Sequence, residues 1–175
     1  HVLNHAGFDL HLAAVAGGND ELYDKLQGME WHIPVSLYNF VDNMPAMLHA
    51  ADCVVSKAGG LIVTESLACG LPLLLVQVIP GQETGNAEHV VNGGAGMLVN
   101  DAGEALVQVF HWLDKGCAEL NVAAARAKAL GRPDAALRAA DRAMEVAVNG
   151  PRPVSRGLVN QLPRLRELLG VSGEA

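Results

Sequence analysis

Three short stretches concentrate the groups that could bind or polarise a substrate. They are Gly17-Gly18-Asn19, the run Lys57-Ala58-Gly59-Gly60 with Glu65 beyond it, and Gly81-Gln82-Glu83-Thr84-Gly85-Asn86. In the second, adjacent glycines fall where a helix begins, and their missing Cβ atoms let a ligand approach the free N–H groups at that end. Those donors, with the helix dipole, favour an anion such as a diphosphate. Lys57 adds a positive charge beside them. Glu65 stands five residues past Gly60, an axial rise of roughly 7.5 Å, and helical side chains lean back toward the N-terminus. A carboxylate touching a phosphate would repel it, but a two-oxygen acceptor suits paired hydroxyls such as those of a ribose. A plain helix start followed by an exposed glutamate fits the same residues. The third stretch crowds Gln82, Glu83, Thr84 and Asn86 into one loop, which is either sugar-binding chemistry or a Pro-Gly turn with Thr84 or Gly85 capping the next helix.

The remaining reactive residues carry less. The seven histidines, at 1, 5, 11, 32, 49, 89 and 111, lack metal-ligand spacing and read as surface or packing residues, so no metal is expected. Cys53, Cys69 and Cys117 are odd in number and show neither C-x-x-C nor another zinc spacing, which points to reduced thiols in a cytosolic protein.

These groups need elements to position them. Residues 9–16 alternate and then become apolar before Gly17, a strand entering a tight loop, and Asn19 or Asp20 caps a helix to about Gln27. Residues 32–38 read as a strand, 44–51 as a short helix, 53–56 as a strand and 60–69 as a helix stopped by Gly70 and Pro72. The predominantly apolar run Leu71 to Val78 suits a strand covered on both faces. A helix to Asn92, a strand at 96–99 and Ala-rich helices near 103–115, 117–130 and 134–148 follow. Strand and helix alternate, which implies a Rossmann-like α/β domain with a parallel sheet, helices on both faces and right-handed crossovers. Ligands of such sheets sit beyond the carboxyl ends of the strands. Each of the three glycine-bearing loops follows a strand, so all three are expected on one rim. The chain opens as though a helix were already under way at residue 1, as in a fragment of something longer. Pro151 and Pro153 mark a boundary between a domain at 1–150 and a basic tail at 151–175.

Composition excludes several classes. Half of the 175 residues are hydrophobic, enough for a sizeable core. The net charge of -7 argues against broad nucleic-acid binding. Residues 1–150 hold 8 basic and 17 acidic side chains, so any phosphate bound there must rely on backbone amides. No apolar run approaches the ~20 residues of a membrane span, and no signal peptide is evident.

Taken together, YNFVDNMPAMLHAADCVVSKAGGLIVTESLACGLPLLLVQVIPGQETGNAEHVVNGGAG resembles the carboxyl-terminal half of two-domain GT-B glycosyltransferases. The resemblance is to the monogalactosyldiacylglycerol synthase and processive diacylglycerol glucosyltransferase branch, related to the undecaprenyl-pyrophosphoryl-muramylpentapeptide N-acetylglucosaminyltransferase. It covers roughly residues 9–130, on F-V-D-N-M, K-A-G-G, T-E and P-G-Q-E-x-G-N in that order. It implies a donor domain that binds a UDP-sugar substrate, with no further cofactor, for an inverting, metal-independent transfer of a hexose to a lipid such as diacylglycerol. By matching positions, the resemblance places the backbone around Val41 on the uracil, Gly59 and Gly60 on the diphosphate, and Glu65 on the ribose. Gln82, Glu83 and Asn86 would hold hydroxyls of the transferred sugar, and Gly18 with Asn19 would line the nucleotide pocket.

It also implies a first strand, in the middle of the sheet, that these residues lack, and an N-terminal acceptor-binding lobe, in cis or in trans, that supplies the catalytic base and any peripheral membrane contact. The fragment alone is then inactive, in a cytoplasmic protein at the inner face of the membrane. A non-catalytic donor-binding subunit of a split glycosyltransferase, or a nucleotide-sugar epimerase-like domain, is the alternative. The tail arginines 156, 164 and 166 would reach back toward the other lobe or toward anionic lipid.

Overall fold

A computed structural model describes residues 2–150. The tail beyond Gly150, with its arginines, lies outside the described residues. The chain divides into two compact units between Pro133 and Asp134, ahead of the boundary expected at 150.

The first unit alternates strand and helix, as its patterning predicts. The strands are β1 (Leu12–Val15), β2 (Val35–Tyr38), β3 (Val54–Lys57), β4 (Leu73–Gln77) and β5 (Gly96–Leu98). The helices are α1 (Asp20–Gln27), α2 (Met44–His49), α3 (Gly60–Cys69), α4 (Thr84–Asn92), α5 (Ala102–Leu113) and α6 (Ala118–Leu130). The second unit contributes α7 (Ala135–Asn149). None of the described helices is long and apolar enough to cross a membrane.

All strand pairs are parallel, yet they form two ladders rather than one sheet. β1 pairs with β2, and β3, β4 and β5 pair in that order. Among the described residues no strand bridges the two ladders. The helix expected under way at residue 1 is a single 3₁₀ turn, Leu3–His5. It is anchored by buried Asn4, whose Nδ2 donates to the Glu30 carbonyl at 2.7 Å and whose Oδ1 accepts the His32 N–H at 2.7 Å.

β4 is the hub. Leu73, Leu74 and Leu75 are fully buried, because successive side chains of a strand point to opposite faces and helices cover both. Leu73 and Leu75 pack with Ala58, Val63, Leu67, Ala87, Val90 and Ala127 on one face. Leu74 packs with Val99, Val109, Trp112 and Leu120 on the other, where half-buried Cys53 also lies. Burial there, with Asp52 nearby, pushes the Cys53 thiol up to about 11, which removes it as a nucleophile at neutral pH. Each fully buried leucine contributes about 1.5–3 kcal/mol relative to exposure.

Gly70, at φ 76°, ends α3 in the left-handed region: its N–H donates to the Leu67 carbonyl at 3.0 Å and that of Leu71 to Ser66 at 2.9 Å. That is a Schellman closure, and it turns the chain directly into β4. Gly96 and Gly131 are required by proximity, since a Cβ would lie 2.0 Å from the Leu73 carbonyl oxygen and 2.1 Å from that of Leu67.

Candidate functional site

The carboxyl ends of β3 and β4 face a rim built from the turns that follow them. α3 begins at Gly60 with Gly59 as its N-cap, at φ -66° and ψ 142°, and no side chain caps its free amides. No acidic residue sits in its first turn. Asn19, Asn43 and Asp101 each accept a backbone N–H at the start of α1, α2 and α5, whereas α4, α6 and α7, like α3, begin without a side-chain cap. Amides left without a side-chain acceptor, at the positive end of a helix dipole, are donors for an external anion. Bare glycine at both positions lets that anion approach to hydrogen-bonding distance.

Glu65 lies one turn beyond Leu61 on α3 and is exposed, as is Leu61 at 78%. The carboxylate makes no hydrogen bond or ion pair with the described residues. An unengaged acceptor on that face can take hydroxyl donors without breaking anything in the protein.

The turn after β4 is organised differently from the expectation. Glu83 is buried, its side chain only 4% exposed. Its Oε2 accepts the Ile79 N–H at 3.0 Å, and its Oε1 lies 3.2 Å from Lys57 Nζ. The Ile79 N–H, with the bond and charge of Lys57, holds the carboxyl below the usual carboxylate range against the opposing effect of burial. Glu83 therefore serves the framework of the loop, with its carboxylate turned away from solvent. Lys57 is not an unpaired charge awaiting phosphate either. Asn86 is half-buried and donates from Nδ2 to the Ala58 carbonyl at 2.9 Å. Gln82 is exposed at the tip of the loop, beside Gly81 at φ 79°, where the chain needs glycine to turn. Thr84 accepts the Gly81 N–H at 3.1 Å, so the Pro-Gly turn and the polar loop coexist in one element.

The third stretch belongs to the other ladder. Gly17 and Gly18 have φ of 67° and 84°, and the Gly18 N–H donates to the Asn39 carbonyl at 2.8 Å. That bond joins the 17–19 loop to the turn after β2 that carries half-buried Val41. Asn19 spends its Oδ1 on the Leu22 N–H at 3.0 Å as the cap of α1. The described contacts thus form two clusters, Gly18 with the 39–41 turn and Gly59–Gly60 with the 79–86 loop. A separate, open apolar groove of about 340 Å³ lies beside Gly94, Gly96, Met97 and Trp112 at the amino end of β5. None of the candidate residues lines it. Among the described residues no group of three His, Cys, Asp or Glu side chains could hold a metal ion.

Residues 2–143 match the glycosyltransferase family 28 C-terminal domain. The chain belongs to this family. The family 28 domain is 37% identical over 124 residues to the probable monogalactosyldiacylglycerol synthase 2, chloroplastic, of Oryza sativa subsp. indica, a match covering 71% of this chain and 26% of that protein. It is likewise 37% identical over 124 residues to monogalactosyldiacylglycerol synthase 3, chloroplastic, of Arabidopsis thaliana, covering 71% and 27%. The chain thus spans about a quarter of the length of these relatives. Its fold is that of MurG from Acinetobacter baumannii, a solved structure with a TM-score of 0.62 and 21% identity that covers 79% of this chain and 45% of the other.

The residue that sequence reasoning missed is Lys57 as the partner of Glu83. They are 26 positions apart and follow no local pattern, but they end or follow adjacent strands, β3 and β4. Strand adjacency was the signal that could have joined them.

Proposed function

We propose that the family 28 domain binds the UDP-sugar donor for transfer of a hexose to a lipid acceptor. The observation that carries this reading is the side-chain-free N-terminus of α3, opened by two glycines and tied to a polar loop from the neighbouring strand.

The amides at Gly59 and Gly60 hold the diphosphate. As the sugar leaves, charge grows on that diphosphate, and donors already aimed at it stabilise the transition state more than the ground state. Removing one comparable preorganised donor typically costs about 2.7–4 kcal/mol. Glu65 accepts the ribose hydroxyls, which its lack of partners among the described residues leaves it able to do. Gln82, with the oxygen of Asn86, receives sugar hydroxyls, while Gly18, Asn19 and the backbone at Val41 flank the base. A separate acceptor-binding lobe supplies the base that deprotonates the acceptor hydroxyl, along with any contact to the membrane.

Calorimetric titration with UDP, UMP and uridine tests the reading. Affinity in the order UDP over UMP over uridine, with UDP binding in the micromolar range, supports a diphosphate on the α3 amides. Equal or absent binding of all three at millimolar concentration would exclude it.

A further inference from the structure

The β3/β4 register breaks beside Lys57. Ser56 opposes Leu75, whereas Lys57 opposes Gln77, so Val76 is an extra residue on β4. A bulge of this kind re-aims the side chains next to it, and here the ion pair between Lys57 and Glu83 crosses from one loop to the other. Glu83 also binds Ile79 twice, accepting its N–H at 3.0 Å and donating its own N–H to the Ile79 carbonyl at 2.9 Å. Those two bonds close residues 79–83 into a ring. The bond from Asn86 to the Ala58 carbonyl ties the same two loops at a second point. A Cβ built on Gly59 would lie 3.7 Å from Lys57 Cε and 3.8 Å from Glu83 Oε1, so the pair lies against the β3–α3 turn to which it ties the loop.

Charge narrows the role of this pair. Lys25 and Lys57 are the only Lys or Arg residues in positions 1–114, and Lys25 pairs with Glu21 on its own helix. Lys57 is neutralised by a carboxylate buried at 4% exposure. A charge so paired adds little attraction for an anion, and a carboxylate so enclosed presents little to a sugar hydroxyl. What the pair does supply is a fixed distance between two loops.

We propose that Lys57 and Glu83 are positioning residues: their ion pair fixes the 79–83 loop against the β3–α3 turn, so that a sugar carried on the diphosphate meets Gln82 while neither charged residue touches the donor. This rests on the UDP-sugar reading above. Misplacement of a substrate-positioning group by about 1 Å can cost up to 100-fold, so a loosened brace affects the sugar more than the nucleotide.

The test is a double-mutant cycle with Lys57→Met, Glu83→Gln and the pair combined, in the full-length protein, with folding checked by urea denaturation. Affinities are measured for UDP and for whichever of UDP-galactose, UDP-glucose and their N-acetyl forms the wild type binds best. The brace predicts unchanged UDP affinity in all three variants. It also predicts a UDP-sugar affinity that falls roughly tenfold in either single variant and no further in the double. Additive losses would overturn it, because they mean that each residue contacts the donor separately. Weakened UDP binding in Lys57→Met would overturn it by placing the ammonium on the diphosphate, and unchanged UDP-sugar affinity would reduce the pair to a fold element. Failure of the wild type to bind UDP would instead sink the donor reading itself, and the brace with it.

Discussion

Alanine at Gly59 or Gly60 separates a glycine kept for the fold from one kept for a ligand. Neither position needs positive φ, since Gly59 has φ -66° and Gly60 is the first helical residue. A Cβ at Gly59 would meet Ile62 Cγ2 and Lys57 Cε at 3.7 Å, and one at Gly60 would meet Asn86 Nδ2 at 3.7 Å. These are ordinary contacts, so the protein itself has room for both methyl groups. Replacing glycine where the backbone is already compatible stabilises by about 0.4–1 kcal/mol, and the melting temperature should hold or rise by a few degrees. A ligand lying on the amides has no such room. Loss of one hydrogen bond between an amide and a charged oxygen costs about 1.5–3 kcal/mol, or roughly 10- to 100-fold in Kd. The assay is calorimetric titration with UDP beside a thermal melt of the same sample. Gly60→Ala or Gly59→Ala with an intact melt and undiminished UDP affinity would refute the assignment of these glycines to a phosphate.

Other outcomes follow from the same geometry. Glu65→Ala should leave the melt unchanged, because the carboxylate bonds to nothing in the described residues, while weakening UDP about tenfold or more. It should bind 2′,3′-dideoxy-UDP as well as the wild type does, and a matching loss for that analogue would free the ribose from Glu65. Gly131→Ala should lower the urea midpoint by the equivalent of about 3 kcal/mol or more, since its Cβ would lie 2.1 Å from the Leu67 carbonyl oxygen. Wild-type stability there would refute the close approach. The carboxyl of Glu83 is held below its ordinary value of 4.5, so its contribution is fully present above that value and is lost as pH falls through the folded-state pKa. The stability of Glu83→Gln should therefore fall less steeply than that of the wild type as pH is lowered from about 5, and parallel curves would show that the carboxylate carries no such linkage.

How legible the fold was depends on whether the information was local. The apolar run at Leu71 to Val76 marks a doubly covered strand, and Leu73 to Leu75 are fully buried in β4, while Val76 and Gln77 at its carboxyl end are exposed. Gly70 before Pro72 marks the end of α3 because only a left-handed residue closes that helix and turns the chain into the core. The opening segment misled: Asn4 makes its bonds to residues 26 and 28 positions away, and nothing local distinguishes that anchor from the start of a helix. Which strands pair was not legible within any one segment either, since pairing is decided between segments: the parallel strands fall into two ladders. At the site, the glycines and the polar loop were visible as types and spacing. The engagement of Glu83 with Lys57 and Ile79 was not, because a carboxylate on a sugar loop reads as exposed until its neighbours in space are known.

The central claim is that backbone amides at the start of α3 hold a diphosphate, and an amide-resolved nuclear magnetic resonance titration with UDP tests it most directly. The largest shifts should fall on the N–H groups of Gly59, Gly60 and Leu61, with smaller ones at Gly18 and Val41. Shifts confined to the groove beside Met97 and Trp112, or a spectrum that UDP leaves unchanged, would contradict it.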